Sequence, residues 1–126
     1  MPRTGVVFYQ EAPGQVPALD WLRRLRRADR RGYAKCVARV QRLAEFGYEL
    51  RRPEADFLRD GIHELRVRRG RVHYRTLYFF HGKGIAVLAG GLSKEGRVPN
   101  RDIDRALQRK VDFEKDPSMH TFVMEL

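Results

Sequence analysis

At 126 residues, with 42% hydrophobic and 33% charged side chains, the chain has the composition of one folded domain and not of a disordered segment. No apolar run approaches the eighteen or so residues of a transmembrane helix, the start MPRTGVVFYQ lacks a signal-peptide layout, and the lone Cys36 excludes an internal disulfide, so no membrane and a reducing cytoplasm are expected. The formal charge of +10 points to a polyanionic partner, nucleic acid first, because the bases crowd between positions 23 and 75 while Asp112, Glu114 and Asp116 make the start of the tail acidic.

In chain order, Val6 to Tyr9 reads as a short edge strand, and Pro13-Gly14 marks a loop. Pro17 suits a first helical turn, and Ala18, Trp21, Leu22 and Leu25 follow at helical spacing, with Trp21 as a core anchor. Asp29 is a candidate N-cap for a longer helix that ends at Gly47, with Tyr33, Val37, Val40 and Ala44 as the stripe facing a sheet. Arg31, Lys35, Arg39 and Arg42 form a basic ridge beside that stripe, a solvated face or a surface for RNA phosphates or an acidic protein. Cys36 reads as a small buried hydrophobe. Residues 48–60 read as a connector around Pro53.

The stretch from Leu58 to Lys94 organises the rest. Leu65 and Val67 alternate with Glu64, Arg66 and Arg68, the period of a half-buried strand. A turn at Arg69 to Arg71 leads into Val72 to Phe80, dense in β-branched and aromatic residues. His81-Gly82-Lys83-Gly84 then connects to the apolar run Ile85 to Ala89. Loops this short allow only antiparallel neighbours, so a three-stranded meander is expected. Pro99-Asn100 opens a last helix whose apolar face is Ile103, Ala106, Leu107 and Val111; Asp116-Pro117 stops it, and the final residues are an extended edge or a loose tail. The expectation is one α+β domain over 1–126, with a core of about 6–115 and a tail at 116–126, in the order strand, helix, helix, three-stranded antiparallel meander, helix.

That order resembles the RelE/ParE toxins of bacterial toxin–antitoxin pairs, and within them the phage Gp49-like, HigB-type branch. Gly61-Ile62-His63-Glu64-Leu65-Arg66 is similar to the family's "glyELR" strand and Tyr74-Arg75-Thr76-Leu77-Tyr78-Phe79-Phe80 to its "yRilyff" strand. Gly91-Leu92-Ser93-Lys94 resembles "gFxKK", and Pro99 to Ala106 resembles the start of the family's last helix. The resemblance implies a RelE-like fold and an endoribonuclease that cuts mRNA, typically on the translating ribosome, with a HigA-like helix-turn-helix antitoxin as silencing partner. The cut would use the substrate's own 2′-OH, without metal or other cofactor. It would need a proton acceptor, cations for the phosphorane and a proton donor for the leaving oxygen. The four histidines lack metal-ligand spacing.

On this resemblance Arg75 is the candidate for the scissile phosphate, Arg66 and Arg68 for transition-state charge, and Lys94 matches the first lysine of the "KK" pair, where Glu95 takes the second place. No tyrosine matches the acid or base of the best-known relatives. His73, on the same face as Arg75 by alternation, is the candidate for proton transfer; His63 and His120 are weaker ones. Arg31, Lys35, Arg39, Arg42, Arg69 and Arg71 are the candidate RNA-binding cations, and Glu64 beside Arg66 reads as a structural ion pair. The alternatives are a non-nuclease poison of a protein such as DNA gyrase, as in ParE-type relatives, or an inactive domain that binds RNA or its antitoxin.

Overall fold

The structure, a computed structural model, describes residues 3–126. Among them the elements run β1 (Gly5–Tyr9), α1 (Pro17–Ala28), α2 (Arg30–Phe46), β2 (Ala55–Arg59), β3 (Ile62–Arg69), β4 (Val72–His81), β5 (Ile85–Lys94), α3 (Asn100–Lys115), α4 (Pro117–His120) and β6 (Thr121–Phe122). The strands form one six-stranded sheet in the order β2-β3-β4-β5-β1-β6. The expected α+β architecture is thus present, with two corrections. The connector contains β2, so the meander has four strands. The strand β1 is not at the edge but pairs in parallel with β5; of the two readings of the tail the extended edge holds in part, since α4 leads into the two-residue edge strand β6, which pairs with Phe8 and Tyr9. The β2–β3 connection is the two-residue turn Asp60-Gly61, with both residues at positive φ (53° and 85°), as the tight turn that matches strand twist requires.

Strand alternation sorts the core into two layers. Leu65, Val67, Tyr78, Ala86 and Leu88 point to one face, beneath α1 and α2, where Trp21, Leu22, Leu25, Cys36, Val40 and Leu43 meet them. Ile62, Leu77, Phe79, Val87 and Ala89 point to the other face and are covered by Ile103, Ala106 and Phe113 of α3. The register shift between Leu77 and Tyr78 opposite β5 accommodates one extra residue there, so both Ala89 and Gly90 serve the α3 side. On α2 the buried stripe is Gly32, Cys36, Val40 and Leu43, rotated about one residue from the expected Tyr33, Val37, Val40 and Ala44. Burial pushes the Cys36 thiol up to about 12, so it packs as an inert hydrophobe.

The rotation of α2 follows from its N-terminus. Asp29 caps the helix through the Gly32 N–H (3.0 Å), and the same carboxylate accepts from Arg69 (3.1 and 3.2 Å) and from the Tyr74 hydroxyl (2.9 Å). One side chain therefore ties α2 to both strands of the β3–β4 hairpin. Gly32 is needed there, since a Cβ would lie 2.4 Å from the Tyr74 ring and 2.5 Å from the Asp29 carboxylate. Arg69, the Gly32 N–H and Tyr74, in that order, hold the Asp29 carboxyl far below the usual carboxylate range.

Two outcomes are expected. A carboxylate with a depressed folded pKa stabilises above its unfolded value of about 3.9 and ceases to do so as pH falls toward the folded value. Asp29→Asn should therefore melt lower than the parent at neutral pH, with the gap closing below about pH 4; a gap of the same size at both pH values would show that the charge is not what acts. Gly91→Ala should lower stability by about 1–3 kcal/mol in denaturant titrations, an overpacking cost, because its Cβ would fall 2.2 Å from the Trp21 ring.

Candidate functional site

Antiparallel register places residues directly opposite one another on the same face. Arg66 is opposite Arg75, which is opposite Leu92; Arg68 is opposite His73, which is opposite Lys94. These are two adjacent rows across β3, β4 and β5, on the face that carries α3. The helix covers the apolar end of that face, and the two rows continue it beyond the helix. All five residues expected to carry chemistry, Arg66, Arg68, His73, Arg75 and Lys94, are thus brought together by the pairing of three strands.

The rows differ in how their charge is balanced. In the first, Glu64 is 3% exposed and Arg75 is 6% exposed. Arg75 Nε lies 2.8 Å from Glu64 Oε1, and Arg66 Nη1 lies 3.2 Å from Oε2. The Nε–H does not point along the line to Oε1, so this contact is an ion pair and not an aligned hydrogen bond. Arg75 Nη1 also donates to the carbonyl of Gly96, in the loop after β5. These contacts commit Nε and Nη1 of Arg75 within the protein. Burial raises the Glu64 carboxyl above its ordinary value, while Arg75 and Arg66 pull against that. The expected Glu64–Arg66 ion pair is present, and Arg75 completes it as a triad.

The second row has no such partner. Among the described residues no carboxylate lies within ion-pair distance of Arg68, His73 or Lys94. Arg68 and Lys94 are exposed, and His73 is half-buried. Desolvation, then the charges of Arg75, Arg66 and Arg68, lower the His73 pKa, which favours the neutral imidazole, the form that accepts a proton. Beside Lys94 opens a cleft of about 560 Å³ lined by Leu58, Arg59, Arg97 and, from the start of α3, Pro99, Asn100 and Ile103. A helix N-terminus among cations favours an anion. Arg97 was not singled out in the sequence; its place three residues beyond Lys94 in a polar loop was the available signal.

The remaining candidates scatter. His63 lies on the opposite face, stacked on Tyr78 (centroids 5.2 Å) and edge-on to Phe57 and Phe80. His120 does not fold over the site: it stacks on Tyr9 and its Nδ1 lies 2.7 Å from the Gln10 carbonyl, at the β1–β6 end of the sheet. Of the basic ridge, Arg42 makes a two-pronged pair with Glu54 (2.7 and 3.0 Å), and Arg39 donates to the Arg66 carbonyl (2.9 Å) with Glu54 at 3.8 Å. These two hold α2 to the β2–β3 hairpin. Arg69 is engaged with Asp29, whereas Arg31, Lys35 and Arg71 are exposed. Among the described residues, no group of three or more His, Cys, Asp or Glu could hold a metal ion, and no helix is long and apolar enough to cross a membrane.

Two helices on one face of a mostly antiparallel open sheet, one on the other, and cations on the uncovered part make a RelE-like α+β fold with a basic face. The model of the family described as "Phage derived protein Gp49-like (DUF891)" matches residues 20–111, and the chain belongs to that family, which falls in the RelE/ParE-like toxin group. A search of curated proteins finds no significant match to the chain.

The buried triad gives a test of its own. Removing one member of a buried pair leaves the other charged and unpaired, at a cost of roughly 3–5 kcal/mol, whereas an apolar replacement of both is often neutral. Arg75→Ala, which leaves the buried Glu64 with only the half-exposed Arg66, should therefore destabilise clearly in denaturant titrations, Lys94→Ala by less than about 0.5 kcal/mol, and Glu64→Met with Arg75→Met should recover most of the loss. A stable Arg75→Ala would show that the pair does not hold the strands.

Proposed function

We propose that this protein is the toxin of a type II toxin–antitoxin system, a HigB-like endoribonuclease that cuts mRNA during translation and is neutralised by a HigA-like helix-turn-helix antitoxin. The observation that carries the reading is the second row: Arg68, His73 and Lys94 side by side across three strands, with no carboxylate among the described residues within ion-pair distance. Two cations flanking an imidazole whose pKa is lowered suit a phosphodiester.

The reaction follows from the groups present. The substrate's 2′-OH attacks phosphorus while His73 takes its proton. The bond to the 5′ oxygen breaks as that oxygen takes a proton from water, leaving a 2′,3′-cyclic phosphate. Lys94 and Arg68 reach the non-bridging oxygens and offset the charge that builds on them. Arg66 lies one row away, with Glu64 beside it. Arg75, buried under the Gly96 loop, acts as a positioning residue: it fixes the strands that present the row.

The test is to map RNA 5′ ends in cells induced for the parent, His73→Gln and Lys94→Ala, and to follow cleavage against pH with purified protein. The parent should give new in-frame cuts within translated messages, and His73→Gln should lose about 10²- to 10⁴-fold in rate. Because neighbouring cations depress the imidazole, the acid limb of the profile should lie below about pH 6.5 and move upward in Arg68→Gln. Growth arrest without new RNA ends would sink the nuclease and point to a protein target instead.

A further inference from the structure

The ion pairs divide the arginines into two populations. Those on the strands, at the end of α2 and along α3 are largely matched with carboxylates, as Arg39, Arg42, Arg52, Arg59, Arg69 and Arg109 show. Around the elbow between α1 and α2 the opposite holds. Arg23, Arg24, Arg26, Arg27, Arg30 and Arg31 are all exposed, and among the described residues none of them has a carboxylate within 4.0 Å. Between Trp21 and Ala44 the sequence has one acid, Asp29. Its carboxylate turns inward to Arg69, the Gly32 N–H and Tyr74, away from balancing the elbow. Four of these arginines, Arg23, Arg26, Arg27 and Arg30, line one shallow groove of about 540 Å³.

We propose that the α1–α2 elbow docks the sugar–phosphate backbone of duplex RNA, as a binding surface separate from the sheet-face row and not dependent on it. Three observations choose this occupant. The first is charge type: the patch is arginine, whose planar fork pairs two phosphate oxygens at once. The second is the lack of an apolar anchor. A protein interface centres on buried aromatic or aliphatic contacts inside a polar rim, but the exposed large hydrophobics, Phe46, Tyr48, Phe57, Ile85, Val111 and the tail residues, lie outside the elbow. The third is the lack of a stacking platform. Single strands are held by bases stacked on exposed aromatics, whereas Trp21 is buried and Tyr33 is half-buried with Arg26 5.9 Å above its ring. What remains is a surface that follows phosphates and reads no bases, which is how duplex RNA is held.

The elbow and the sheet-face row lie on opposite faces of the sheet and meet only around the β3–β4 hairpin tip: Asp29 joins the elbow to Arg69, at the end of β3, and the turn that follows carries the exposed Arg71. A single-stranded extension of a duplex on the elbow would have to pass around that tip to reach His73 and Lys94.

Fluorescence anisotropy with a mixed-sequence RNA duplex of about twenty base pairs tests this across a salt series. Replacing Arg23, Arg27, Arg30 and Arg31 with Gln should weaken binding at least about tenfold near physiological salt and make the log–log salt slope shallower by about 3, close to four released counterions. The pair Arg23→Gln and Arg27→Gln should give about half that change in slope and guards against misfolding of the fourfold variant, whose melting temperature is checked in parallel. Unchanged affinity and slope in folded variants would overturn the proposal. So would displacement of the duplex by polyglutamate of equal charge, which would make the elbow a surface for acidic proteins. Cleavage is read separately: elbow-dependent duplex binding in a protein that cuts nothing refutes the nuclease alone, and cleavage with elbow-independent binding refutes this inference alone.

Discussion

A carboxylate and a guanidinium withdrawn almost wholly from water join the three strands on which everything else is arranged. Glu64 belongs to β3, Arg75 to β4, and the Gly96 carbonyl that Arg75 holds belongs to the chain leaving β5. In so dry a setting an ion pair is costly to separate, because either partner left alone would be a bare charge in low dielectric. The pair thus penalises any slip of β3 against β4, and a slip by one residue would send every side chain of the strand to the wrong face. It also fixes where the loop after β5 starts, and with it the place of Lys94, Arg97 and the first turn of α3. An arginine that looks like a phosphate ligand in sequence is, in this fold, first a structural member.

The same distinction runs through the whole charge distribution. A net charge of +10 in a chain of 126 residues says little about binding until each arginine is given its neighbours. Arg39 and Arg42 attach α2 to the β2–β3 hairpin, Arg69 attaches the hairpin tip to Asp29, and Arg109 reaches Glu11 and the Ala89 carbonyl. These are long side chains that fasten the elements around the two apolar layers. What is left over forms two areas, the elbow and the Arg68–His73–Lys94 row. The elbow lies on the α1–α2 side of the sheet and the row on the α3 side, so the two areas flank the β3–β4 hairpin tip from opposite faces.

Much of the frame was legible. The period-two alternation of Leu65 and Val67 against Glu64, Arg66 and Arg68 gave the faces of β3 correctly, and the placing of His73 with Arg75 followed from the same rule. Trp21, Asp29 and Gly47 serve as anchor, cap and helix end, as their types and positions imply. Other features were harder to read. The strand β2 was hidden because Pro53 suggested a loop, although Asp60-Gly61 beside Phe57 and Leu58 was a hairpin signal in plain view. The stripe on α2 was read one residue off, since Tyr33 and Val37 have the same period as Gly32 and Cys36; contact with Tyr74, far along the chain, decides between them. Parallel pairing of β1 with β5 and the two-residue β6 depend on long-range contacts that leave no local pattern.

The two rows of the sheet face explain why the site was partly readable and partly not. Like charges directly opposite one another destabilise a sheet, so Arg66 opposite Arg75 breaks a local rule. In the first row the structure repairs the breach with Glu64, and what remains is a rigid support. In the second row two cations flank His73, no described carboxylate offsets them, and their charge stays open toward solvent. Departures from local consistency that are not compensated within the chain are where a partner's contribution is to be sought. A phosphodiester laid across Arg68, His73 and Lys94 would supply the missing negative charge, and the row already stands where strand register fixes it, with little reorganisation left to make. The support row cannot be read as a site from its residue types alone, because arginine serves both purposes; only the position of one glutamate, inside and not outside the alternation, separates them.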